Sequence, residues 1–130
     1  MKAAVRASVV LLALALTSGC HGTSDEANVN VELRVEPSPP KVGKAQVTLD
    51  VSDADGKPVE GATLKLEGNM AHAGMKPVFA DATQDKEKAG RYRAELEFTM
   101  GGDWFILVTG KLADGKPVKK KIDVKGVKAN

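Results

Sequence analysis

The sequence predicts an all-β domain, an immunoglobulin-like antiparallel sandwich of about seven strands. Apolar residues alternate with polar ones in segment after segment, turn-forming residues punctuate those segments, and none shows a helical period. Period-2 patterning places one face of each segment in a core and the other in water. In "VNVELRV" the apolar set is Val29, Val31, Leu33 and Val35, and in "AQVTLDV" it is Ala45, Val47, Leu49 and Val51. "ATLKLEG" alternates Ala62, Leu64 and Leu66, and "RYRAELEF" alternates Tyr92, Ala94, Leu96 and Phe98. Strands are expected at 29–35, 45–51, 62–67, 77–81, 91–98, 103–110 and 117–124. That number and spacing suit two packed sheets, with a small barrel as the alternative.

The turns agree. "EPSPPKVGK" (36–44) carries Pro37, Pro39 and Pro40, which lack ladder donors and end a strand. The hexapeptide "ADGKPV" occurs twice, at 54–59 and 113–118, with flanks that do not match. Asp-Gly supplies a positive-φ turn position, so the two copies read as convergent turn chemistry. "AGRY" (89–92) suits the approach to a tyrosine corner, with Tyr92 bonding back to the preceding loop, and equally a plain core tyrosine. "DWFILVT" (103–109) is almost continuously apolar, so one set faces outward. The long 68–90 connection is expected to cover it; an apolar docking patch is the alternative.

Export is read from the N-terminus. A basic start, the ten-residue apolar run "ASVVLLALAL" (7–16) and small residues leading to Cys20 suit a secretory signal. The run falls well short of the roughly 20 residues needed to span a bilayer. "LTSGC" resembles a bacterial lipobox, with Thr17 in place of the usual leucine, and Cys20 is the sole cysteine. The expected organisation is a lipoprotein signal peptide at 1–19, a lipidated flexible tether at 20–28 and a β-sandwich at 29–126. The expected location is the cell envelope, with the domain held to the membrane by lipid on Cys20. His21 after the cysteine, in place of an aspartate, favours the outer membrane over the inner one in a Gram-negative envelope.

Charge excludes the simplest nucleic-acid reading. Without Lys2 and Arg6, 17 basic side chains face 17 acidic ones, and nothing strongly cationic remains to follow a phosphate backbone. The late lysines of "KKKIDVKGVK" (119–128) read as a solvated edge, or as a contact for anionic lipid or a partner. Catalysis has little to work with: two histidines, His21 and His72, no thiol beyond Cys20, and no glycine-rich phosphate loop. The chain is not expected to be an enzyme.

One chemistry is concentrated. "GNMAHAGMKPVFA" (68–80) places Met70, His72 and Met75 within six residues, and Met100 opens the turn "TMGGDW". None of the three methionines reads as an alternating core position. An extended 70–72 would send Met70 and His72 to one side, roughly 6.6 Å apart along the backbone. Gly74 lets the chain bend so that Met75 approaches the same point. Thioether sulfur is a soft, neutral ligand and imidazole a borderline one, a set that favours Cu(I), or Ag(I) in its place. Met70, His72, Met75 and Met100 are therefore the candidate metal ligands, with Cu(I) the expected ion. The same methionines also suit an adaptable apolar plug at the end of a sandwich.

Two stretches, "DADGKPVEGATLKLEGNMAHAGM" and "AGRYRAELEFTMGGDWFILV", resemble the YtkA-like domain family, which is related to the FixH-like periplasmic domains. The resemblance runs from about residue 29 to 124. It implies a small extracytoplasmic β-sandwich without catalytic activity, found in lipoproteins or membrane-anchored proteins. Some relatives are linked to copper handling and cytochrome oxidase assembly. It implies that Met70, His72, Met75 and Met100 gather at one end of the sandwich, and that the partner is a membrane copper protein or an oxidase assembly factor. The chain departs from the FixH-like pattern in using a lipid anchor and in lacking dense methionine runs. A metal-free module that docks an envelope or respiratory complex is the second functional expectation.

Overall fold

The computed structural model of the chain describes residues 26–72 and 74–130; the signal, Cys20 and most of the tether lie outside them. Seven strands follow one another: β1 (Val29–Glu36), β2 (Gly43–Asp53), β3 (Thr63–Met70), β4 (Val78–Gln84), β5 (Arg91–Phe98), β6 (Gly102–Lys111) and β7 (Pro117–Val127). Every predicted strand is present. The largest differences are at the C-terminal ends of three strands: β3 runs on to Met70, β4 to Gln84 and β7 to Val127, where the sequence pattern stops at residues 67, 81 and 124.

Hydrogen bonding links the strands in the order β1-β2-β5-β4-β3-β6-β7, each antiparallel to its neighbours. The ribbon folds over into two layers, β1-β2-β5 and β3-β6-β7, joined by β4. That strand pairs with β3 from Leu64↔Ala82 to Gly68↔Val78, yet with β5 only through Thr83↔Arg93 and Gln84↔Tyr92. Strands β1 and β7 nearly close the ring. Ala27 N–H donates to Pro117 O at one end (2.8 Å), while Val42 and Lys128 N–H donate to Lys128 O and Pro40 O at the other (2.9 Å each). Among the described residues no ladder joins β1 to β7 between those ends, so Val31, Leu33 and Val35 on β1 remain half-buried. The fold is thus a sandwich that stops just short of a barrel.

The inward positions fill the space between the layers. Val47, Leu49, Leu64, Leu66, Tyr92, Leu96, Phe98, Trp104, Ile106 and Val108 are buried, and no charged side chain joins them. Each large apolar side chain so buried contributes roughly 1.5–3 kcal/mol. Outward from β6, Phe105 and Leu107 are half-buried. The 68–90 connection does not act as the expected loop cover, because its second half is β4 and lies edge-on to β3. Cross-strand neighbours shield these residues instead. Leu107 lies between Glu67 and Lys121 in register, and the Lys121 ammonium sits 4.6 Å over the Phe105 ring. Lysine stems cover apolar surface while their charge stays in water.

The two "ADGKPV" copies build the same turn. Gly56 N–H donates to Asp53 O and Asp53 N–H to Lys57 O; Gly115 N–H donates to Leu112 O and Leu112 N–H to Lys116 O. Both glycines have positive φ, 81° and 88°. Identical local chemistry in different flanks explains the repeat without duplication.

The sequence suggests a tyrosine-corner bond from Tyr92 to the loop before it, but its partners lie elsewhere. Its hydroxyl donates to Val59 O (2.9 Å) and accepts from Ala62 N–H (3.1 Å), both in the β2–β3 connection that crosses between layers. Gly90, at φ 76°, lets the approaching chain pass close to Pro58: a Cβ there would lie 2.7 Å from Pro58 Cβ. Replacing Tyr92 with Phe leaves the ring in place and strands both backbone partners. It is expected to cost about 1–3 kcal/mol, read as a lower midpoint in urea unfolding with an unchanged slope.

Candidate functional site

Strand β3 carries Leu64, Leu66, Gly68 and Met70 inward in strict alternation, and all four are buried. Met70 therefore occupies a core position, contrary to the reading of the sequence; it is 7% exposed. Gly68 hides this from a hydrophobicity pattern, because it interrupts the apolar series one step before Met70. Directly across the β3–β6 ladder from Met70 stands Trp104.

Beyond Met70 the chain bends instead of continuing extended, so Met70 and His72 do not share a face. His72 is exposed. Its carbonyl accepts from Met75 N–H at 3.4 Å, and Gly74 at φ 84° completes the reversal. Met75 returns to pack, half-buried, against the core. The expected bend at Gly74 is thus present, and it brings Met75 towards the end of the sandwich that Met70 closes.

Met100 stands in the β5–β6 turn and is 48% exposed. Its carbonyl accepts the Trp104 indole N–H at 2.9 Å. Gly102, at φ 127°, makes room for Met70: a Cβ at Gly102 would lie 3.0 Å from the Met70 methyl. The two methionine-bearing connections are consequently neighbours. All four candidate residues lie at the end of the sandwich opposite Ala27, where the described chain begins, in three environments: Met70 in the core, Met75 at its margin, His72 and Met100 in solvent. Among the described residues no group of three His, Cys, Asp or Glu side chains is placed to hold an ion, so a metal here would depend on thioether sulfur.

A second polar cluster lies on the outer face of the β1-β2-β5 layer, and sequence reading missed it. Asp50 accepts from Arg91 Nε (2.8 Å) and from Arg34 (3.0 Å). The Arg91 hydrogen bond holds the Asp50 carboxyl below its usual range, and Asp85 is lowered likewise by the Glu87 backbone N–H and then Arg93. Asp50 borders a shallow cavity of about 450 Å³ with Glu32, Ser52, Pro58 and Lys88. Asp50 and Arg91 are partners in the β2–β5 register, a pairing across 41 residues that no local spacing reveals.

Fold and site together define a small all-β sandwich with a methionine-bearing end. The YtkA-like family model matches residues 23–109, and the chain belongs to that family. The match takes in β1 to β5 and most of β6, and ends before β7. No curated protein matches the chain.

Two outcomes follow for variants. Met70→Ala opens a core cavity and is expected to cost about 2–5 kcal/mol, whereas Met100→Ala should change stability by under about 0.5 kcal/mol; thermal melts of each against wild type check this. Asp50 has a lowered folded pKa, so its contribution is present above its ordinary value of 3.8 and is lost as pH falls through the folded value. The stability gap between wild type and Asp50→Asn should therefore be present at neutral pH and shrink as the pH falls below 3.8, seen in urea titrations across that range.

Proposed function

We propose that the chain is an extracytoplasmic, lipid-anchored binding protein for Cu(I), with Met70, His72 and Met75 as ligands and Met100 completing the set. One observation carries the reading. Three methionines and the only histidine of the described residues lie at the same end of the sandwich, on neighbouring connections. The donor set fits a soft monovalent ion: three neutral thioethers and one imidazole, without the carboxylate cluster that a hard divalent ion would require. Bound there, Cu(I) would be stored or passed on by exchange of soft ligands. The exposed His72 and Met100 suit contact with an incoming carrier, and the half-buried Met75 and buried Met70 suit retention.

Anchorage through Cys20 would set the direction of that exchange. The described chain begins beside Ala27, whose N–H bonds Pro117 O at the end of the domain away from Met70. Strand β2 has 11 residues, and a strand of that length spans roughly 33 Å. The methionine end would then face away from the anchoring membrane. Its partner would be a soluble carrier, or a copper protein or oxidase assembly factor with a domain projecting to that height.

A second reading rests on Phe79, which is 63% exposed. It shares an outer row with Glu67, Leu107 and Lys121, as a metal-free docking module would require.

Competition for Cu(I) against a chromophoric chelator separates the two. A soluble Cys20→Ser variant removes the one competing thiol. It is expected to hold close to one Cu(I), and Met70→Leu/His72→Ala/Met75→Leu to hold far less; leucine keeps the core volume that alanine would lose. Equal retention by both proteins would refute the ligand assignment.

A further inference from the structure

We infer that Trp104 is the positioning residue of this site: its indole fastens the turn that carries Met100 to the strand end that carries Met70. The inference rests on the Cu(I) reading and specifies how two separate connections become one ligand set.

Trp104 is the only tryptophan in the chain and is 2% exposed. Four contacts fix it. The indole N–H donates to Met100 O at 2.9 Å. The ring meets Phe98, the last residue of β5, edge to face, with centroids 5.2 Å apart and planes at 73°. On its other side Trp104 is the register partner of Met70. Towards β7 it pairs with Val124, next to a bulge in which β7 carries one extra residue. Gly126 N–H there donates to the Asp103 carboxylate at 2.9 Å, pinning the residue before Trp104.

A buried indole N–H needs an acceptor, and donating to a backbone carbonyl of a turn removes that turn's freedom to swing. The Met100 main chain is thereby held at the edge of the ring, while its side chain is 48% exposed. The Met70 methyl lies against Gly102 of the same turn, which a Cβ would crowd. Trp104 itself supplies no soft donor, so its effect on metal must act through Met100.

That dependence gives a test with a distinct signature. Silver affinity is measured by chelator competition on the Cys20→Ser chain and, in that background, on Trp104→Phe, Met100→Leu and the double variant. Each single change should weaken Ag(I) about three- to tenfold, the effect of one hydrogen bond's worth of ordering, and the double should be no weaker than either. Losses that multiply in the double variant would mean that Trp104 acts on general structure, overturning the inference. Undiminished affinity in Trp104→Phe overturns it too. A wild-type-like chain that takes up no silver overturns the Cu(I) reading and Trp104's role with it, so the two failures are told apart. Amide exchange in the metal-free protein gives a second readout: residues 101–103 should exchange faster in Trp104→Phe and unchanged in Met100→Leu, and unaltered exchange in Trp104→Phe counts against the inference. Should Trp104→Phe not melt cooperatively, benzothienylalanine at 104 replaces the N–H by sulfur in a ring of similar size, and the same outcomes apply.

Discussion

The two-layer arrangement depends on one buried hydroxyl. Tyr92 is fully buried in β5, within one layer, and both of its hydrogen bonds go to the β2–β3 connection as it crosses to the other. A phenol without partners there would be costly, so the crossing segment must come to it. Nearby, Gln84 accepts Gly61 N–H at 2.9 Å and pairs in register with Tyr92. Tyrosine, the end of β4 and the crossing connection thus form one joint. With it fixed, β3 leaves at a set height, and β6 and β7 follow by pairing.

At the far end a second buried ring does comparable work. Trp104 accounts for the neighbourhood of Met70, Phe98 and the β5–β6 turn, just as Tyr92 accounts for the crossing. The methionines there divide their duties by depth. Met70 closes the core, so any exchange of its sulfur must respect packing as well as chemistry. Met100, 48% exposed, is the least packed of the three, so in the proposed site its sulfur would be the readiest donor. The depth gradient from Met70 through Met75 to His72 and Met100 is what a bare count of soft residues in the sequence fails to express.

Much of this was legible beforehand because it is local. Alternation located the strands, and Asp-Gly-Lys-Pro located two turns whose backbone hydrogen bonds match. What escaped was non-local. Gly68 interrupts the apolar series, so only the β3–β6 ladder shows that Met70 points inward. The partner of Tyr92 lies 30 and 33 residues away, and that of Asp50 lies 41 away. The true length of β4 depends on its short pairing with β5, beyond the reach of a seven-residue pattern of half-buried positions. The four candidate ligands were legible as residue types, and their common end of the domain follows from strand order, whereas their depths do not.

The incomplete closure between β1 and β7 bears on how the domain behaves in company. An unpaired strand edge invites other chains to extend the sheet. Here the two free edges face one another across a narrow seam, and backbone hydrogen bonds at Ala27–Pro117 and around Lys128 hold that seam at both ends. Lys120 lies in the inward-facing register of β7, opposite Val108, and is half-buried. An intruding strand would have to part the stitched ends and bury that ammonium. The domain therefore guards its own margins, and many copies crowded together would remain separate molecules instead of zipping into fibres.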